Sequence, residues 1–350
     1  MKDMIDFIKK LELTSNILNK YYPNIKIDFQ ETKLLKNYRN KTVYSINSKQ
    51  DEESFRIIDK KHIEIIMDIC KLPSAIAIKD IFLKSNINND IQICFTLYQD
   101  KLNQLNPHIY LNNLLKYIKT DIYSVYFRIY NERSKSKFDT KEINQIPLNN
   151  YKIKLNEVIL GKKLYLSPYT FSRIHPEISN MIYSKILNIY PIEISNIILY
   201  GRDIYYLYKY FSLYKPEKNI LALTHCKITY NDILEDNDLG FLNKKIDRNF
   251  NNLKYCKKSE YTEEILKNSK MDKQYQFILT AGRNGLPKSL LDYFMCQSNI
   301  SNIIYIACNR NTMGRDLNIL HPKYELSNSI IMDEFPQTDY NNTILSLKLK

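Results

Sequence analysis

The sequence predicts an α/β chain whose second half is a largely parallel sheet linked by crossover helices. Two observations carry that reading. Short apolar runs at 196–200 (NIILY), 219–223 (NILAL), 276–280 (QFILT) and 302–307 (NIIYIA) alternate with stretches of helical length, the pattern of βαβ units. The first half instead shows strand-like runs broken by polar segments, which predicts an α+β or β-rich domain.

Taken in order, residues 1–20 place Met4, Ile5, Ile8, Leu11 and Leu18 at helical spacing, predicting an amphipathic helix with those residues on one side. Residues 38–46 (YRNKTVYSI) are a basic patch running into alternating, strand-like residues. Runs 92–98 (QICFTLY) and 121–130 (DIYSVYFRIY) read as strands, with a helix over the latter part of the segment between them. Residues 131–150 are polar and lack apolar period, so a loop or hairpin tip is expected. Another strand is expected within 161–168 (GKKLYLSP). From about residue 175 the rhythm changes: PEISNMIYSKILNIY has helical spacing, with Pro176 at the first turn. The run 343–349 (TILSLKL) supplies the last strand. Domains are therefore expected over 1–175 and 176–350.

With 350 residues, 44% of them hydrophobic and 25% charged, the chain has material for about two domains with substantial cores. Its net charge of +13 favours a polyanionic partner, nucleic acid above all. The surplus of Lys, Asn, Ile and Tyr also fits AT-rich codons, so charge alone does not decide the partner. Six cysteines (Cys70, Cys94, Cys226, Cys256, Cys296, Cys308) form no CxxC pair, which argues against a zinc site or a disulfide framework. Reduced thiols suit an intracellular compartment, cytoplasm or nucleus. No run approaches 18 apolar residues, so no membrane span is expected.

Five patches carry a resemblance. Residues 303–317 (IIYIACNRNTMGRDL) hold a Cys-Asn pair, a Thr three residues after the Asn, and then Arg-Asp-Leu. Residues 333–338 (DEFPQT) read Asp-x-Phe-Pro-x-Thr ahead of the last strand. Arg283-Asn284-Gly285-Leu286 follows an earlier strand, Tyr165–Phe171 and His175-Pro176-Glu177 lead into the second half, and Tyr38-Arg39-Asn40-Lys41 lies near the start. In type and order these resemble the motifs of the RNA uracil-C5 methyltransferase family. The resemblance implies a methyltransferase-like, Rossmann-type mixed sheet ending in an antiparallel strand, preceded by an RNA-facing domain. The absence of a cysteine cluster and of an N-terminal barrel is similar to the branch that modifies transfer RNA.

That resemblance also implies a chemistry. Uracil C5 is a poor nucleophile until a thiolate adds to C6, and the resulting enolate takes the methyl of S-adenosylmethionine. A base then removes the C5 proton so that the thiolate can leave, and the base must first be flipped from its stack. On this pattern Cys308 is the nucleophile, and the catalytic base position falls on Asn342. Cys308 has support from its place at the end of an apolar run, where an open sheet has its crevice; Arg310 and Arg315 are nearby cations that favour a thiolate. Thr280 and Arg283 fall at the substrate-reading strand end. Tyr200, Gly201 and Asp203 fall at the first cofactor loop, with Arg173 at a lead-in position. Arg39, Lys41, Lys162 and Lys163 are candidate RNA contacts, with Tyr38, Tyr169 and Phe171 as stacking platforms.

The chain departs from the family pattern at several of these places. Ile198 stands where the first strand carries an acid, and one glycine survives at 201. The second strand ends in Ala222-Leu223-Thr224-His225, with no carboxylate for a ribose. Thr280 replaces the uracil-reading acid, and Asn342 cannot take a proton. Asp203 and Asp339 are possible substitutes, although three residues' separation puts Asp339 and Asn342 on opposite faces of a regular strand. Two main readings follow: an S-adenosylmethionine-dependent tRNA methyltransferase with a rebuilt site, or a catalytically inactive protein that keeps RNA binding or assembly without the cofactor. A scaffold with no RNA contact is a third.

Overall fold

A computed structural model of the chain describes residues 2–32, 38–46, 58–102, 105–130, 146–148, 151–152, 154–190, 193–215, 217–236, 251–256, 265, 273–336 and 338–350. The polar stretch expected as a loop over 131–150 lies outside the described residues except for 146–148. The first elements are α1 (Lys2–Tyr21), β1 (Ile27–Gln30), β2 (Lys41–Ser45), α2 (Lys60–Cys70), β3 (Ile78–Ser85) and β4 (Ile91–Tyr98). Next come α3 (Pro107–Leu115), β5 (Ser124–Tyr130), β6 (Ile146–Pro147), β7 (Leu155–Ile159), β8 (Lys162–Leu166) and α4 (Pro176–Ile189). The chain then alternates through β9 (Asn196–Gly201), α5 (Tyr205–Tyr214), β10 (Asn219–Thr224), α6 (Lys227–Leu234) and β11 (Asn251–Tyr255). It finishes with β12 (Tyr275–Ala281), α7 (Lys288–Cys296), β13 (Ile300–Ala307), α8 (Arg310–Leu320), β14 (Tyr324–Met332) and β15 (Asn342–Leu349).

These elements form two compact units, residues 34–176 and residues 1–33 together with 177–350. The sequence reading placed all of 1–175 in one domain. Residues 1–33 instead join the second unit, because β1 pairs in parallel with β14 and α1 packs on α8.

The larger unit is an eight-stranded sheet in the order β1-β14-β15-β13-β12-β9-β10-β11. All neighbours run parallel except β15, which lies antiparallel between β13 and β14, as the family resemblance implied. Leu18 of α1, Leu290 and Phe294 of α7, and Met313 and Leu317 of α8 cover one sheet face, meeting Phe277, Leu279, Ile303, Tyr305 and Leu345. The polar residues Ser327, Asn328 and Ser329 interrupt the run that becomes β14, which hides that strand from a search for apolar runs.

The buried side of α1 differs from its expected stripe. Phe7, Lys10, Thr14 and Leu18 are buried, while Ile8 is 45% exposed. Two polar residues are inside because they have partners there. The Lys10 ammonium donates to Asp333 Oδ1 and to the Phe335 carbonyl, both at 2.8 Å, and Asn341 Nδ2 donates to Thr14 Oγ1 at 2.9 Å. Buried charge is tolerated when it is paired and hydrogen-bonded in this way.

The 34–176 unit is a five-stranded sheet, β2-β3-β4-β5-β6, antiparallel except for the parallel pair β4–β5 that α3 connects. Ile65, Ile66 and Ile69 of α2 and Leu111 and Leu114 of α3 pack on Ile81, Leu83, Ile93, Phe95 and Val125. The β7–β8 hairpin is tied to this sheet by Gln92 Nε2 donating to the Leu166 carbonyl and Asn86 Nδ2 to the Asn156 carbonyl.

His62 sits fully inside this unit, with Nδ1 3.2 Å from the Thr42 hydroxyl. Burial pushes its imidazole down to about 4, against the opposing pull of Asp59. The folded value lies below the unfolded 6.5, so the neutral ring's contribution is intact above 6.5 and is lost as pH falls toward 4. Urea midpoints measured between pH 7 and pH 4 should fall through that window, and His62→Asn should remove most of the slope.

Candidate active site

Parallel strands deliver their C-terminal ends to one edge, and the antiparallel β15 brings its first residues to the same edge. The register aligns Gly201 with Thr280, Ala281 with Ala307, Ala307 with Thr343, and Asn342 with Met332. Residues just beyond these positions therefore gather along one line, where an open α/β sheet holds its ligands.

Cys308 leaves β13 at this edge, half-buried, with Sγ 3.8 Å from the Ala281 carbonyl. The residues after it explain why the motif has its spacing. Asn309 caps α8 by accepting from the Asn311 N–H, and its Nδ2 donates to the Arg283 carbonyl at 3.0 Å. Thr312, one turn along, sets its hydroxyl 3.3 Å from the same carbonyl. Arg315 Nη2 donates to the carbonyls of Asn284 and Leu286, and Arg315 also grips Asp316 Oδ1 at 2.6 Å. Asp316 Oδ2 accepts from the Leu286 N–H at 2.9 Å and the Tyr305 hydroxyl at 2.7 Å. Burial first, and then the Asp316 carboxylate, pushes the Tyr305 phenol well above its ordinary value, so it remains a donor.

This clamp fixes the 283–286 turn against α8. Gly285 has φ +69°, and a Cβ there would lie 2.6 Å from Arg315 Nη2 and 2.7 Å from Asp316 Oδ2. Only glycine suits that position. Arg315, expected beside the thiol, spends its donors on this turn instead. Arg310 Nη1 donates to the Asp339 carbonyl at 2.8 Å, and the Arg283 guanidinium lies 5.2 Å over the Tyr340 ring. Three loops thus meet in an exposed basic and aromatic rim next to Cys308.

Asn342 opens β15 and is buried, its Nδ2 donating to Glu334 Oε2. Asp339 precedes the strand in an exposed loop, so strand alternation does not govern where it points. Glu334 is only 2% exposed and went unremarked in the sequence reading. Its one sequence signal is an acid at the second place of the Asp-x-Phe-Pro motif.

Two strands along from β13, at the end of β9, Tyr200 is buried, and its carbonyl accepts from Thr280 Oγ1 at 3.1 Å. Gly201 has φ +124°, and any Cβ would collide with Thr280. Asp203 is buried and accepts from the Tyr183 hydroxyl. A glycine turn, a buried carboxylate and hydroxyl groups at a strand end fit the amino and hydroxyl groups of a nucleoside-bearing cofactor. At β10, Thr224 Oγ1 accepts from the Cys226 N–H, and no carboxylate ends that strand.

The remaining candidates belong to the 34–176 unit. Arg39 Nε donates to the Lys41 carbonyl, and the Lys41 ammonium lies 5.8 Å from both the Phe82 and Phe171 rings. Arg173 is buried. Tyr38, expected as a stacking platform for bases, is 2% exposed and stacks on His175 at 4.8 Å. Tyr169 packs on Phe82 with the Arg128 guanidinium 4.7 Å over its ring. Among the described residues no helix is long and apolar enough to cross a membrane.

No family model matches the chain. It is 22% identical over 278 residues to an uncharacterised RNA methyltransferase of Fusobacterium nucleatum, an alignment covering 75% of this chain and 53% of that protein. Over 66 residues it is 39% identical to an uncharacterised RNA methyltransferase of Listeria monocytogenes, covering 19% of this chain and 13% of that one. Over 81 residues it is 33% identical to the tRNA/tmRNA (uracil-C(5))-methyltransferase of a Sulfurovum species, covering 22% and 21%. The chain is thus similar in sequence to proteins named as RNA methyltransferases. It spans about half the length, or less, of these curated relatives. Among solved structures its fold is similar to Pyrococcus abyssi tRNA (uracil-54, C5)-methyltransferase in complex with S-adenosyl-L-homocysteine, with TM-score 0.67, 15% identity, and 97% and 83% of the two chains covered. That likeness bears on the fold alone, a Rossmann-like mixed sheet, which the sequence had predicted.

The Arg-Asp pair at 315–316 is scaffold around the thiol. Asp316→Ala strands two buried donors, Tyr305 Oη and Leu286 N, each costing about 1–3 kcal/mol, or roughly 2–6 kcal/mol together. Urea unfolding should read that loss, and Gly285→Ala should lower stability in the same assay.

Proposed function

We propose that this chain methylates C5 of a uridine in RNA, with transfer RNA as the substrate class and S-adenosylmethionine as donor. One observation carries the reading: a half-buried thiol at the sheet's open edge, flanked by an Arg283–Arg310–Tyr340 rim and level with a buried amide–carboxylate pair. Among its relatives, the Sulfurovum protein bears the name of this activity.

The chain's residues divide the work along the edge. The rim's guanidiniums attract phosphates, and Tyr340, 42% exposed, offers a ring face for an unstacked base. Cys308 adds to C6 of the flipped uracil, converting C5 into a nucleophile. The Gly201–Asp203 turn, with Asp203 held by Tyr183, would hold the donor's amino acid or nucleoside end. S-adenosylmethionine supplies an electrophilic methyl when bound. The clamp of Asn309, Thr312 and Asp316 keeps the thiol and the Arg283 turn in fixed register, the positioning that such chemistry needs.

A second reading has its own observation. Ile198 and the carboxylate-free end of β10 remove acids from the donor side, which favours a protein that holds RNA without the cofactor. Calorimetric titration with S-adenosylmethionine, with and without tRNA, separates the two. Micromolar binding, labelled methyl on uridine C5, and loss of that transfer in Cys308→Ala are expected. Salt-sensitive RNA affinity without donor binding would establish the non-catalytic reading instead.

A further inference from the structure

Adding a thiolate to C6 and a methyl to C5 leaves a saturated adduct that still carries the C5 hydrogen. It resolves only when a base takes that proton. The C–H electron pair then re-forms the C5–C6 double bond, and the C6–S pair returns to sulfur. Resting on the methyltransferase reading above, we propose that Glu334 is that base, with Asn342 as its positioning residue.

Register places the carboxylate. Ala307 lies opposite Thr343, so Cys308, one residue past the end of β13, is level with Asn342 at the start of β15. On the other side of β15, Met332 lies opposite Asn342, and the chain turns back two residues later to set the Glu334 carboxylate on the Asn342 amide. Thiol, amide and carboxylate therefore follow one another across three adjacent strand ends. Asn342 cannot accept the proton, and its N–H donation fixes the group that can.

The other described acids near this edge stand in different settings. Asp316 accepts from Leu286, Tyr305 and Arg315. Asp333 is paired with Lys10 at 2.8 Å, and both side chains are almost wholly buried. Asp203 belongs to the end of β9, held by Tyr183. Asp339 is in an exposed loop, where an anion is surrounded by water. Among the described acids, Glu334 combines burial with a direct bond to the residue level with the thiol.

Glu334→Gln is the test, assayed on the full chain with tRNA and S-adenosylmethionine. Loss of a general base should slow turnover by about 10²–10⁴-fold, while a protein–RNA adduct that survives denaturation accumulates through Cys308. Tritium release from 5-tritiated uridine in tRNA, run without the methyl donor, should fall in parallel. Folding and RNA binding are read separately with tRNA containing 5-fluorouridine. Its C5 fluorine cannot leave as a proton does, so the variant should trap that adduct as well as the wild type. Turnover within about threefold of wild type, or failure to trap the fluorinated RNA, would overturn the role of Glu334 while leaving the activity intact. A wild-type chain that neither transfers methyl nor traps fluorinated RNA removes the methyltransferase reading itself, and this assignment with it.

Discussion

The buried carboxylate of Asp316 joins three pieces of chain that sequence alone leaves separate. Through Tyr305 it fastens α8 to the strand that leads into Cys308, and through the Leu286 amide it fastens both to the turn carrying Arg283. Arg315 closes the arrangement from the solvent side. A carboxylate with this many donors is well compensated for its burial. It adds to the bonds that Asn309, Thr312 and Arg315 make to the same turn, and together they hold the thiol and the basic rim in one register. The chemistry assigned to Cys308 needs both held together.

The second constraint is the direction of β15. An all-parallel sheet would bring only C-terminal strand ends to the functional edge. Reversing one strand in the middle delivers an N-terminal end there, with Asn341 tied to α1 and Asn342 tied to Glu334. Strand direction therefore decides that residues from the loop before β15 lie beside the residue after β13.

Much of this was legible in the sequence where the signal was local. The apolar runs that became β9, β10, β12, β13 and β15 needed no partner to be recognised. β14 escaped because Ser327–Ser329 break its apolar run, and β1 because a four-residue edge strand carries little pattern. The buried face of α1 was misjudged at Ile8, because Lys10 and Thr14 are made interior by partners more than 300 residues away. The same logic separates the site's legible residues from the rest. Cys308 stood inside a dense motif, whereas Glu334 gains significance only once a turn folds it onto Asn342. Tyr38, an apt stacking residue by composition, already has His175 as its partner.

The pairing of β1 with β14 joins Ile27 to Ser329 across the whole 34–176 unit. Its consequence is kinetic. Among the described residues, the N-terminal strand pairs only with β14, which begins at residue 324, so the sheet's edge closes by a contact of very high sequence separation. The intervening unit, whose sheet pairs are drawn from its own residues, has no such wait. Refolding of the whole chain should therefore be paced by the return of the first thirty-odd residues to a nearly finished sheet.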